Sequence, residues 1–320
     1  MRREIVVAFD GSPHSRTAVE WAAGECRARR VELTVCHVWD GPRAGRGTTV
    51  PAGERGLAGH TLIDGVQLAE RLLPGRAVRA ILLRGTPGPE LASVSRAAEM
   101  LVVGGRGTGG IAGSLLGSVS AHVTAHALCP VLAVPRRPDP AVRDRLGEVV
   151  VGVDGSASSL AALRFALGHA RIHRLAVHVV HAKADASFRR TAEVERWITE
   201  TVNRLPRSRP GTVVTVSALD GPPLPALLPY GERARLMVVG SRGPARLGER
   251  VPGSVSQEVL HRAGCPVAVV KDRAGDRPPP TYIERDNSGG GGGGEPDAVP
   301  ACAGSQGGGD DDAVRYGGAQ

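Results

Sequence analysis

The strongest constraint on this chain is an internal repeat. Val6-Val7-Ala8-Phe9-Asp10-Gly11-Ser12 recurs as Val150-Val151-Gly152-Val153-Asp154-Gly155-Ser156. Val102-Val103-Gly104-Gly105-Arg106-Gly107 recurs as Val238-Val239-Gly240-Ser241-Arg242-Gly243, and Gly117-Ser118-Val119-Ser120 as Gly253-Ser254-Val255-Ser256. Each copy then closes on Cys-Pro-Val, at Cys129 and at Cys265. Self-similarity of this kind means two copies of one domain in 320 residues, rather than two unlike domains.

The separation between copies falls along the chain: Asp10 to Asp154 is 144 residues, Val38 to Val180 is 142, and Gly104 to Gly240 is 136. This matching predicts a copy two shorter by two residues before its second strand. It predicts six more lost from the Gly/Pro-rich loop corresponding to Gly41–Gly59, since loops absorb deletions readily.

Within copy one, short apolar runs alternate with helical patterns. Strands are predicted at Glu4–Ala8, Leu33–Val38, Val78–Leu83, Leu101–Val103 and Val131–Val134. Helices are predicted over Ala18–Arg29, where Ala18, Trp21, Ala22 and Cys26 share a face, and over His60–Leu73, Glu90–Ala98 and Ser118–Leu128. Apolar strands separated by helices call for a parallel sheet covered on both sides. The expected fold is α/β: two tandem domains, each an open five-stranded parallel sheet with helices on both faces. Residues 1–135 form domain one, 136–147 a linker and 148–271 domain two.

Residues 272–320 read differently. Nine acids oppose four arginines there, so the segment carries −5 and the first 271 residues +13 of the total +8. With Pro278-Pro279-Pro280 and six consecutive glycines from Gly289, it has too little apolar surface to offset chain entropy, and a disordered tail is expected. Elsewhere, composition mainly excludes. Five scattered cysteines without a CxxC spacing argue against a disulfide framework and a structural zinc site. No apolar run approaches the ~20 residues of a membrane helix. Met1-Arg2-Arg3-Glu4 leads into a strand without a signal-peptide pattern, so a cytoplasmic protein without a membrane partner is expected. Aromatics are only 3%, against a stacking platform for single-stranded nucleic acid, and the arginines are dispersed without a nucleic-acid motif.

Three repeated features fall where open parallel sheets bind ligands, outside the carboxyl ends of the strands. Asp10 and Asp154 end the first strands, the Gly104 and Gly240 loops follow the fourth, and Gly117-Ser118 and Gly253-Ser254 open the last helices. A helix start presents unpaired N–H groups to an anion, and glycine lets the backbone approach it. Read by themselves, the same residues also serve as turns and helix caps.

The intervals Gly104-x2-Gly107-x9-Gly117-Ser118 and Gly240-x2-Gly243-x9-Gly253-Ser254 are identical. Together with the strand-terminal Asp-Gly-Ser, this pattern resembles the ATP-binding branch of the universal stress protein family, over both halves of residues 1–271. The resemblance implies an adenine nucleotide alpha hydrolase-like fold and an ATP site in each copy, with Mg²⁺ accompanying the phosphates near Asp10 and Asp154. In copy one Asp10 would lie near ribose and phosphates, and Val38 would meet adenine through its backbone. Gly104, Arg106 and Gly107 would wrap the ribose–phosphate region, with Gly117, Ser118, Val119 and Ser120 binding phosphates through backbone and hydroxyl groups. Ala8, Phe9 and Val103 would line the pocket, which the bulk of Phe9 would partly block. Copy two offers Gly152, Val153, Asp154, Val180, Val239, Gly240, Arg242, Gly243, Gly253, Ser254, Val255 and Ser256. The resemblance further implies pairing of the two domains through Val131–Val134 and Val267–Val270, leaving a homodimer open. It implies a nucleotide-responsive regulatory or protective role.

Two alternatives stay open on sequence. One is a slow ATPase or nucleotidyl-transfer enzyme using the same cleft, although no catalytic base is identifiable. The other is a non-nucleotide interaction scaffold. Gly105-x-Gly107-x2-Gly110 satisfies the Rossmann spacing, but copy two places Ser241 and Arg246 at its outer positions. The pairs His122/His126 and His169/His173 lack the HExxH glutamate and read as solvated or half-buried helix histidines.

Overall fold

The computed structural model describes residues 4–39, 52–105, 117–135, 147–183, 191–204, 212–241, 254–272 and 315–316. Copy one runs β1 (Glu4–Ala8), α1 (Pro13–Arg29), β2 (Glu32–Trp39), α2 (Ala52–Leu72), β3 (Val78–Arg84), α3 (Pro87–Val94), β4 (Met100–Gly104), α4 (Ser118–His126) and β5 (Val131–Val134). Copy two repeats it: β6 (Glu148–Gly152), α5 (Ala157–His173), β7 (Val177–Lys183), α6 (Thr191–Arg204), β8 (Val214–Asp220), α7 (Pro223–Gly231), β9 (Ala234–Gly240), α8 (Ser254–Arg262) and β10 (Val267–Val270).

The strands lie in the order β3-β2-β1-β4-β5 and β8-β7-β6-β9-β10, parallel within each copy. The two sheets join where β5 pairs antiparallel with β10, bringing Leu132 opposite Ala268. Successive side chains alternate between faces, and both faces are apolar. Val7, Val35, Val102 and Leu132 face one core cluster, whereas Val6, Cys36, Leu101 and Val131 face the other. Each cluster includes residues of both copies, so the apolar cores run unbroken across the β5–β10 junction.

Local chemistry sets the element ends. Ser12 caps α1, its hydroxyl accepting from the Ser15 N–H at 3.2 Å, and Pro13 supplies a preset φ in the first turn. Ser156 caps α5 in the same way through the Ser159 N–H. Both helices stop on a left-handed arginine, Arg30 (φ 59°) and Arg174 (φ 57°), whose N–H returns to the carbonyl of Cys26 and of Ala170. Equal lengths and equivalent caps keep the two copies in step through this region.

The expected two-residue shortening before the second strand is therefore absent. Ala8 is in register with Cys36, and Gly152 with Val180, while the Phe9 and Val153 N–H groups donate to the Cys36 and Val180 carbonyls. Val180 is thus the counterpart of Cys36, and Ala182 that of Val38. All eight missing residues are lost between the second and third strands. Helix α2 also begins at Ala52, inside the stretch expected to be loop, and α3 begins earlier than expected because Pro87 and Pro89 favour a helix's first turn. Of the expected linker 136–147, residues 136–146 lie outside the described residues, as does most of the tail. Arg315–Tyr316 form a further short strand (β11) beside Thr215 and Val216 of β8. Among the described residues no helix is long and apolar enough to cross a membrane.

Candidate functional site

The order β2-β1-β4 places a switch point between β1 and β4, where the chain leaves one side of the sheet for the other. Asp10 follows β1 there, and Gly104 ends β4 one strand away. The Asp10 carboxylate closes its own turn: Oδ1 accepts the Ser12 N–H at 3.0 Å while Gly11 takes φ +81°. Asp154 repeats this with the Ser156 N–H at 3.0 Å and adds the Ser156 hydroxyl at 2.6 Å, beside Gly155 at φ +83°. Asp-Gly-Ser is thus an Asx turn running into an N-cap, which holds the carboxylate at the carboxyl edge of the sheet.

The β4–α4 connection is drawn tight at both ends. The Gly105 N–H donates to the Val134 carbonyl and the Gly117 N–H to the Gly105 carbonyl, each at 2.7 Å. Gly117 caps α4 without any side-chain hydrogen bond. The first N–H groups of a helix have no intrahelical acceptor, so those of Ser118, Val119 and Ser120 form a donor set at a positive dipole end. Ser118 is exposed, whereas Ser120 is buried and its hydroxyl donates to the Gly104 carbonyl at 2.7 Å. Ser120 therefore ties the helix start to the end of β4. In copy two Ser254 is exposed and Ser256 buried in the same pattern.

Gly104 and Gly240 are required by packing. A Cβ on Gly104 would stand 2.9 Å from the backbone of His14, and one on Gly240 would stand 2.7 Å from the Ser158 hydroxyl and 2.8 Å from the Ser158 backbone. The first turn of α1 or α5 thus presses directly on the fourth strand. Ala8, Val38, Val103 and Val119 belong to one face of the sheet, as do Val180, Val239 and Val255 in copy two. Phe9 belongs to the other face, and its ring rests where a Cβ on Gly65 of α2 would come within 2.6 Å. The ring is therefore directed away from Ala8 and Val103. Val153 occupies the same face in copy two, and the Gly152 Cα faces Leu227 of α7. Arg106, Gly107, Arg242, Gly243 and Gly253 lie outside the described residues.

Two sets of histidines carry structure that sequence reading missed. His37 and His181 are counterparts, buried at the ends of β2 and β7. Their Nδ1–H groups donate to the carbonyls of Phe9 and Val153, both at 2.7 Å, pinning the exit of each first strand. The other set lies between the copies. Glu25 of α1 is 1% exposed and meets His169 and His173 of α5, of which His169 is 2% exposed rather than solvated. Burial raises the Glu25 carboxyl, but His173, His169 and Arg29 more than reverse this and hold it down at about 2. Burial pushes His169 down to about 3, against the opposing pull of Glu25. His122 and His126, in contrast, simply stack on each other with ring centroids 4.2 Å apart.

The repeated Asx turn and glycine-ended fourth strand, with the glycine-led helix of copy one, agree with the comparison of this sequence with known families. A sequence model of the Universal stress protein family matches residues 1–135 and again 146–271. The chain belongs to the universal stress protein family. Universal stress protein Rv1996 of Mycobacterium tuberculosis is 33% identical over 300 residues, spanning 83% of this chain and 94% of that protein. Universal stress protein Rv2623 of the same organism is 28% identical over 286 residues, spanning 84% and 96%. Among solved structures, a universal stress protein from Archaeoglobus fulgidus superposes with a TM-score of 0.67 at 23% identity, covering 84% of this chain and 98% of that one. A universal stress protein solved in complex with cAMP is 28% identical, covers 42% of this chain and 98% of that one, and has a TM-score of 0.35.

Proposed function

We propose that this tandem universal stress protein binds ATP, accompanied by Mg²⁺, in each domain and acts in the cytoplasm as a nucleotide-responsive regulatory or protective protein. The observation that carries the reading is the α4 N-terminus. Gly117 caps it without a side-chain acceptor, and Ser120 anchors it to Gly104, leaving backbone donors at the carboxyl edge of β4 beside the Asp10 turn. That donor set suits phosphate oxygens, since an anion there meets both N–H groups and the dipole's positive end. The chemistry also suits the cation, because Asp10 and Asp154 offer hard oxygen ligands of the kind Mg²⁺ prefers. In this reading Ala8, Val38 and Val103 supply the apolar wall for adenine, with Ala182 taking the place of Val38 in copy two. Arg106 and Arg242 would fork onto phosphate oxygens.

The test is to introduce Gly117→Val and Gly253→Val separately and follow ATP by equilibrium dialysis. Each should remove one of two sites while circular dichroism stays unchanged, because the new side chain stands where phosphate would lie. Two undiminished sites in both variants would overturn the assignment.

A further inference from the structure

The Glu25 cluster lies at the opposite edge of the sheet from the strands' carboxyl ends, with Arg29 beside Glu99 at the start of β4, and is not used by the proposed nucleotide sites. It exists only because of the way the copies pair. Glu25 and His169 are counterparts 144 residues apart, as are Arg29 and His173, so the same two positions meet across the junction with different side chains. His169 and His173 are one turn apart on α5 with stacked rings 4.3 Å between centroids, so both imidazoles project to the same side.

We propose that Glu25, His169 and His173 form a binding site for one transition-metal cation of the Zn²⁺ class, bridging the two domains. One carboxylate oxygen and one ring nitrogen from each histidine lie within 4.8 Å of one another, so a contraction of about half an ångström brings all three to the ~2.0–2.2 Å of zinc ligation. Glu25 Oε1 is 2.8 Å from His173 Nε2, and Oε2 is 3.6 Å from His169 Nδ1. His173 Nε2 is buried and, although at contact distance from the carboxylate, lies outside hydrogen-bond geometry. A cation entering here meets a carboxylate oxygen and a ring nitrogen together and displaces any proton the two share. Two imidazoles and one carboxylate are also an established Zn²⁺ ligand combination, with the fourth position left to water. Solvent reaches the site past His173, whose side chain is 19% exposed.

Arg29 takes the supporting role. Its Nε donates to Glu25 Oε2 at 2.8 Å, fixing the carboxylate so that Oε1 points at His173. Its other contact, from NH2 to His169 Nδ1, is long at 3.4 Å and is the one an ion would have to replace. Arg29 is held in place by Glu99 at 3.4 Å and by the Phe165 ring of copy two.

The experiment uses the full chain, stripped with a chelator and titrated with Zn²⁺ by calorimetry and with Co²⁺ by visible absorption. One equivalent should bind, Co²⁺ should show the ligand-field bands of a low-coordinate nitrogen–oxygen site, and Zn²⁺ should raise the Tm. His173→Ala, at a part-exposed position, should keep the fold and weaken binding by more than the roughly 10–100-fold that loss of a supporting partner costs. His169→Ala should do likewise, whereas His126→Ala, on an exposed surface, should bind as wild type. Absence of stoichiometric uptake by the wild-type chain, or unchanged uptake by His173→Ala, would overturn the site. ATP binding measured on the same variants should not change, so this site and the nucleotide sites stand or fall separately.

Discussion

Leu132 and Ala268 occupy the same position in the two copies and lie directly opposite each other across the β5–β10 junction. A pseudo-twofold axis therefore passes between them, and everything else at the interface follows from it. Helices α1 and α5 are brought together on one side, so Trp21 receives Arg235 and Arg29 covers Phe165. Because both residues are fully buried in continuous cores, the halves should unfold as one unit. Leu132→Ala should cost about 2–5 kcal/mol in a urea titration and shift the transitions of both halves together. Two separate transitions, of which only one moves, would show that the cores are independent.

The close approach of α1 to β4 makes Gly104 a packing residue before it is anything else. Gly104→Ala should destabilise the chain by about 1–3 kcal/mol, as should Gly240→Ala, because each new methyl meets helix backbone rather than a yielding side chain. Chemical denaturation measures this directly. Gly117→Val, at the N-cap of α4, should cost about 1 kcal/mol, the penalty of a β-branched residue at that position.

Phe9 and Gly65 form a size-matched pair, with the ring occupying the space a Cβ would need. Gly65→Ala should be destabilising alone and much less so on a Phe9→Val background, Val being the residue that copy two carries at the counterpart position Val153. A double-mutant cycle should give a coupling of about 0.5–3 kcal/mol. Additive effects would mean the ring has another place to go.

Burial pushes the thiols of Cys26, Cys36 and Cys265 up to about 12 from an ordinary 9.0. Only the thiolate attacks, so a Cys302→Ser chain should show no fast-reacting thiol at about pH 8 and four once denatured. The linked effect on stability has a definite sign. Above 9 the unfolded chain releases thiol protons that the folded chain retains, so stability is whole below 9 and declines as pH rises toward 12. A flat stability profile across that window would contradict the buried assignment.

Much of this architecture was legible in the chain because it rests on local periodicity. The runs Glu4–Ala8 and Val131–Val134 are strands with those bounds, since each is a short apolar run ended by turn residues. The helix stops at Arg30 and Arg174 were not legible, because a left-handed cap is ordinarily read from glycine. With those stops hidden, the sequence aligns Val180 with Val38, whereas the register pairs it with the position of Cys36. The glycines of the loop motif were legible as a pattern but not by role, since the pressure on Gly104 comes from His14, 90 residues away in the chain. Least legible was the Glu25 cluster. Its members belong to different copies, and only the pairing of Leu132 with Ala268 brings them together.

Each copy is proposed to hold an adenine nucleotide. Calorimetric titration of the full chain with ATP in the presence of Mg²⁺ tests it most directly. Two binding events per chain are expected. No detectable binding at millimolar nucleotide would contradict it.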